Sequence, residues 1–148
     1  MDILKEKLTE VLTSGGAVEE RLLQICQVLD SELPHFNWTG FYFKNGDKDE
    51  LILGPYVGEP TDHRIIPYGR GICGQVAVSG ETFLVPDVQA QENYLSCSAD
   101  TKSEIVVPIF KNGENIGQID IDSHTANAFN DGDRELLEWL CEELGAQL

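Results

Sequence analysis

An α+β fold with a central, mainly antiparallel sheet and flanking helices is predicted from three features of the sequence. Apolar residues repeat at helical spacing before Pro34 and after Asn130. β-rich runs fill the chain between them, and at least two pairs of those runs are joined by tight polar turns. No internal repeat, low-complexity segment or linker interrupts the pattern, so residues 1–148 are read as a single domain. Within it, 1–33 carry the N-terminal helices, and 36–148 carry the sheet, the pocket loops and the C-terminal helix.

Leu4, Leu8, Val11 and Leu12 lie on one stripe of a first helix, which breaks at Ser14-Gly15-Gly16. Val18, Leu22, Ile25, Cys26 and Leu29 repeat the stripe up to Pro34. The aromatic run FNWTGFYF (36–43) and LILGPYV (51–57) flank NGDKDE and form a hairpin. A short strand HRII (63–66) leads into the glycine-rich YGRGICGQV (68–76), a short helix follows over about 73–80, and TFLV (82–85) is the next strand. The polar crossing 86–102 is longer than an ordinary loop, and such segments usually carry binding or catalysis. SEIVVPIF (103–110) and IGQIDIDS (116–123) pair across a turn with Asn112-Gly113 at its tip. The last helix, 130–144, is capped by Asn130 or Asp131 and buries Leu136, Leu137, Leu140, Cys141 and Leu144.

Composition narrows the function classes. Ten Lys+Arg against 26 Asp+Glu give a net charge of −16, a surface that repels nucleic acid backbones and anionic membranes. No apolar run is long enough to span a bilayer, and the charged amphipathic MDILKEKLTEVL lacks the apolar block of a secretory signal, so the expected location is cytoplasmic. Cys26, Cys73, Cys97 and Cys141 form no C-x-x-C pair, and neither they nor His35, His63 and His124 have metal-ligand spacing. No metal site is expected on that ground. No G-x-S-x-G elbow supports a serine hydrolase.

Gly69, Gly71 and Gly74 match G-x-G-x-x-G, but the context of a dinucleotide loop is missing. Only two helical turns precede Ser79-Gly80, and Asp87, the next acidic candidate, comes thirteen residues after Gly74 and follows a proline. The glycines are better read as clearing space around Cys73, which stands where backbone N–H groups at a helix start favour a thiolate. Cys97 lies in the irregular crossing, so neither thiol belongs to a long apolar periodicity. Cys26 and Cys141 do, and read as small buried hydrophobes. The two loop thiols suggest a redox pair, with packing as the alternative.

Asp120 and Asp122 share one strand face, with Ile119 and Ile121 on the other. Two such carboxylates favour a shared proton or a bound cation; a solvent-facing polar strand side is the alternative. Trp38, Gly40 and Tyr42 also share a face, where two rings about a residue without a side chain leave a gap for a ligand group or simply pack together.

Taken in order, NWTGFYF, LILGPYVGEP, RIIPYGRGICG, SCSADTKSEIVVPI and IGQIDIDS resemble the single-domain GAF proteins that act as free methionine-(R)-sulfoxide reductases. The resemblance runs from about Asn37 to the C-terminal helix, and the GRG-x-CG, SEIVVP and LDIDS-like blocks in fixed order are more specific than any one alone. It implies a GAF fold with a ligand pocket under loops, and an oxidoreductase acting on free methionine sulfoxide. By position, Cys97 matches the cysteine that attacks the sulfoxide sulfur and Cys73 a second cysteine available to resolve it. Glu104, Asp120 and Asp122 match acidic residues around the substrate, and Trp38 and Tyr42 match aromatic residues beside its methyl group. A sulfenic acid on Cys97 would condense with Cys73 to a disulfide, reduced by thioredoxin or a similar dithiol, with no cofactor or metal. A homodimer through the terminal helices is open to this fold. His63 stands where many members of the family have a further cysteine, and YLSCSAD departs from the family's common sequence around the nucleophile. A GAF module that binds a small molecule or senses redox state without turnover is the alternative function.

Overall fold

The computed structural model describes residues 2–95 and 99–148. Two helices, α1 (Asp2–Leu12) and α2 (Val18–Glu32), precede the strands β1 (Trp38–Lys44), β2 (Glu50–Val57) and β3 (Ile65–Pro67). The helix α3 (Gly71–Ser79) then leads to β4 (Phe83–Val85), a 3-10 turn at Val88–Ala90, the long strands β5 (Ser103–Lys111) and β6 (Glu114–Ser123), and α4 (Asp131–Gln147). The sheet has the order β3-β2-β1-β6-β5-β4, and every neighbouring pair is antiparallel. The predicted order of elements holds, with boundaries shifted by one to three residues, and two of the shifts bear on the site. β3 begins at Ile65 rather than at His63, and α3 begins at Gly71, so Cys73 is its third residue. No helix among the described residues is long and apolar enough to cross a membrane.

Strand alternation divides the sheet into two unlike faces. Phe41, Ile105, Val107, Ile109, Ile119 and Ile121 meet the apolar stripes of α1, α2 and α4 in an aliphatic core. Cys26 and Cys141 belong to that core, where burial pushes both thiols far up, and Cys141 donates to the Val107 carbonyl at 3.7 Å. They are packing residues, as their periodicity predicts. The opposite face carries Trp38, Tyr42 and Val106, covered by α3 through Ile72, Cys73 and Val76.

Two devices hold the helix layer in place. Asn130 and Asp133 form a reciprocal capping box at the start of α4, with bonds of 2.8 and 3.1 Å. Near its other end, Gly145 lets α4 close onto β5, because a Cβ there would fall inside the van der Waals shell of the Phe110 carbonyl oxygen. On helix propensity alone, Gly145→Ala would gain about 1 kcal/mol. Forcing helix and strand apart outweighs that gain, and a net loss of about 1–3 kcal/mol is expected. Urea unfolding followed by circular dichroism measures it, and a stabilised variant would contradict the close approach.

Candidate functional site

The register of three central strands builds the site. β1 pairs with β6 so that Trp38 stands opposite Asp122, Gly40 opposite Asp120 and Tyr42 opposite Gln118. β5 pairs with β6 so that Glu104 stands opposite Asp122 and Val106 opposite Asp120. Glu104 and Asp120 are therefore diagonal neighbours on one face. This face is not open to water: Glu104 is 2% exposed, Asp120 0% and Asp122 1%. The solvent-facing alternative for the carboxylate strand is thereby removed.

Cys73 comes down onto this acidic floor from α3. Its side chain and that of Glu104 both hydrogen-bond Asp120. One donor atom from each of Cys73, Glu104 and Asp120 lies within 4.8 Å of the other two. Burial pushes the Asp120 carboxyl above the usual carboxylate range, and its hydrogen bonds to Glu104 and Cys73 pull only partly the other way. Two buried carboxyls in contact cannot both ionise cheaply, so the arrangement favours keeping a proton on the pair.

The glycine loop sets where Cys73 sits. Gly69 and Gly71 take positive φ of 89° and 66°, a region that side chains disfavour. A Cβ on Gly74 would meet the Pro67 carbonyl oxygen at 2.7 Å, so the helix rests directly on the loop before it. Asn93, from the crossing, accepts from the Gly71 amide at 2.7 Å and donates to the Gly69 carbonyl at 2.7 Å. Gln75 donates to both the Gly71 and Asn93 carbonyls, at 2.9 and 3.0 Å. The loop thus binds the crossing rather than a phosphate. Asn93 and Gln75 were not singled out from sequence, because nothing local marks a clamp between segments some twenty residues apart.

Trp38 and Tyr42 share the predicted face, and of the two readings at Gly40, a ligand gap or aromatic packing, the structure shows packing. A Cβ on Gly40 would meet the Trp38 ring at 2.5 Å and the Tyr56 Cβ at 2.7 Å. The Trp38 ring itself lies over the glycine, stacked on Tyr56 at 5.4 Å and on Tyr42 at 6.4 Å between centroids. Trp38 Nε1 donates to the Glu59 carbonyl at 3.0 Å, and the Tyr42 hydroxyl donates to the His63 carbonyl at 2.8 Å. Both rings therefore pin the 58–64 loop.

A small cavity of about 10 Å³, room for roughly one water, lies beside Cys73 and Asp120, walled by His63, Arg70 and Leu95 among others. A groove of about 620 Å³ between α4 and the end of β5, lined by Val107, Pro108, Phe110, Arg134 and Glu138 among others, includes none of the predicted site residues. The predicted residues gather on the buried acidic floor and not along the larger groove. Cys97, predicted as the nucleophile, lies outside the described residues. Of the other predicted residues, Cys73, Glu104 and Asp120 come together, with Asp122, Trp38 and Tyr42 on the same sheet face.

Similarity to known proteins defines the family. A GAF domain family model matches residues 17–147. A free methionine-R-sulfoxide reductase of Saccharomyces cerevisiae is 43% identical over 108 residues, 72% of this chain and 59% of that protein. The free methionine-R-sulfoxide reductase of Escherichia coli is 36% identical over 117 residues, 79% of this chain and 69% of the relative. The crystal structure of the Neisseria meningitidis free methionine-R-sulfoxide reductase in complex with its substrate superposes with a TM-score of 0.90 at 34% identity, covering 99% of this chain and 88% of that one. The chain belongs to the GAF-domain free methionine-R-sulfoxide reductase family.

The buried carboxyl makes stability depend on pH in a defined direction. Because Asp120 titrates higher in the folded protein than the unfolded value of about 4, the folded state keeps a proton that the unfolded chain has lost. The contribution is complete below the unfolded value and is lost as pH rises through the folded one. Asp120→Asn cannot ionise, so wild type should lose stability relative to this variant as pH rises from acid to neutral. Melting temperatures across that range check it, and a constant difference would show that Asp120 titrates normally.

Proposed function

We propose that this protein reduces free L-methionine (R)-sulfoxide to methionine. The observation that carries the reading is the buried contact of Cys73 with Asp120, itself bonded to Glu104, on the sheet face that also bears Trp38 and Tyr42. Family membership and the substrate complex of the Neisseria relative support the substrate class.

Cys97 is the nucleophile in this reading. Its thiolate attacks the sulfoxide sulfur while a protonated carboxyl of the Glu104–Asp120 pair gives its proton to the leaving oxygen. The oxygen passes to Cys97 as a sulfenic acid and the substrate leaves as the sulfide. The Cys73 thiol then condenses with the sulfenic acid, forming a disulfide and releasing water. A thioredoxin-like dithiol reduces that disulfide by exchange, becoming a disulfide itself, so the cycle balances without metal or organic cofactor. Asp122 and the remaining carboxylate charge hold the substrate's ammonium group, and Trp38 and Tyr42 border its methyl group. Binding pockets for small molecules generally reach about 300 Å³ or more, so the walls formed by His63, Arg70 and Leu95 must move apart to admit an amino acid. A reducing cytosol is the setting this cycle requires. A homodimer would cover apolar surface on the first two helices, where Ile3, Val18 and Leu23 are exposed.

With thioredoxin, thioredoxin reductase and NADPH, the R epimer of free methionine sulfoxide should be consumed and the S epimer left. Cys97→Ser should abolish turnover, and Asp120→Asn should lower kcat by about 10²–10⁴-fold. Cys73→Ser should still form about one methionine per protein in a single turnover, then stall for want of a partner thiol. Substrate binding without turnover by wild type would instead establish the sensing module. Peptide mapping after one turnover without reductant should find Cys73 joined to Cys97; any other partner for Cys97 removes Cys73 as the resolver.

A further inference from the structure

The geometry points to a second ligand for the same floor: Cys73, Glu104 and Asp120 form a site for a thiophilic divalent cation of the zinc class, and its occupancy shuts the enzyme off. The three donors come from α3, β5 and β6, so no spacing in the sequence announces them. Their ligand atoms already lie within 4.8 Å of one another. In a tetrahedral zinc site, Zn–S of about 2.3 Å and Zn–O of about 2.0 Å place donor atoms roughly 3.3–3.5 Å apart. Asp120 already hydrogen-bonds both partners, so a small closing movement of Cys73 toward Glu104 is what remains.

Three further features suit an ion. The donor set of one sulfur and two carboxyls matches a borderline-soft cation better than magnesium or calcium, which take oxygen alone. The adjoining cavity of about 10 Å³ abuts Cys73 and Asp120, giving room for an open fourth position on the order of one water. Gln118 lies two residues from Asp120 on β6, and its amide donates to the Cys73 carbonyl at 3.1 Å, holding the helix carrying the thiol against the strand carrying the carboxylate. Its own Oε1 is buried without a hydrogen-bond partner among the described residues, a polar atom left over at this polar floor. Such outer contacts fix the orientation of ligands. Binding displaces two protons to solvent, that of the Cys73 thiol and the one kept by the Glu104–Asp120 pair, and leaves the thiolate and both carboxylates on the ion. No electron moves, so the state is reversed by a chelator.

The binding claim stands on geometry alone; the inhibition rests on the proposed reductase reading, and the two are separated by what is measured. Metal-free protein is titrated with Cd²⁺ while the ultraviolet thiolate-to-metal charge-transfer band is followed, and Zn²⁺ is added in competition. One equivalent should raise the band in wild type and equally in Cys97→Ser, Cys26→Ser and Cys141→Ser. Cys73→Ser should lose it, and Asp120→Asn and Glu104→Gln should weaken affinity by more than about 100-fold, beyond the effect of an outer-shell change. A band that persists in Cys73→Ser, disappears in Cys97→Ser or never forms overturns the site. Should a variant fail to fold, protection of wild-type Cys73 from alkylation by one equivalent of Zn²⁺, lifted by a chelator, gives the same decision, and equal labelling with and without Zn²⁺ rejects it. Turnover of the R epimer should fall in proportion to zinc occupancy and return on chelation. Metal binding with undiminished turnover overturns the shut-off, whereas a metal-free protein with no turnover overturns the reductase reading and leaves the metal site standing.

Discussion

The register between β1, β6 and β5 is the constraint on which the rest depends. It places Gly40 beside Asp120 and Glu104 beside Asp122, so that carboxyl groups crowd one face of the central strands. A slip of one residue would turn them into the aliphatic core under the helices and send Ile119 and Ile121 to the other side. The register cannot drift, because the apolar residues on the helix face hold it. Burying carboxyls is costly, and at Asp120 the cost is contained by a pKa raised toward the neutral form and by hydrogen bonds to Glu104 and Cys73.

The two faces divide the work. On the helix side, Leu8, Ile25, Leu29, Leu137 and Leu140 are fully buried against isoleucines and valines of the strands, the arrangement that carries hydrophobic stability. The other face gives up part of that gain for polar groups, and among the described residues α3, the short helix that carries Cys73, is the one helix packed on it. Loops therefore finish the cover, tied down through Trp38, Tyr42 and Asn93 rather than through an aliphatic core. A site that must admit and release a small molecule is more easily opened when its cover is pinned by a few hydrogen bonds than when it is welded by packed side chains.

Much of this was legible in the sequence because period and face are local properties. Ile119 and Ile121 against Asp120 and Asp122 announce a two-faced strand, and the stripes through Leu22–Leu29 and Leu136–Leu144 announce the helices that cover one side. What covers the other side is a tertiary fact, so the same alternation left a wet strand open as a reading. The choice between a gap and packing over Gly40 stayed open for a related reason. Period-2 reasoning places Trp38 on the correct face but does not tell which way its ring turns, and it turns over the glycine. Asn93 could not be read because its clamp joins segments far apart in the chain; Cys73, Glu104 and Asp120 were each named through the family resemblance, but their direct contact is likewise a tertiary fact.

The opening glycines of α3 acquire their meaning from those same distant partners. Cys73 is held by its backbone: its carbonyl accepts from Gln118, its helix rests on Pro67 through Gly74, and the turn before it is clamped by Asn93. None of these contacts uses the sulfur. The thiol is therefore delivered to Asp120 by a frame that does not need the thiol in order to form, whereas Cys26 and Cys141 fill volume in a close-packed aliphatic core and are part of their own frame. That distinction separates a cysteine kept for packing from one positioned for chemistry, and it explains why removing the Cys73 sulfur should alter reactivity more than fold. The three glycines suit a nucleotide loop only as a string of letters. In space they let a helix start tightly enough to set a sulfur on a buried carboxyl.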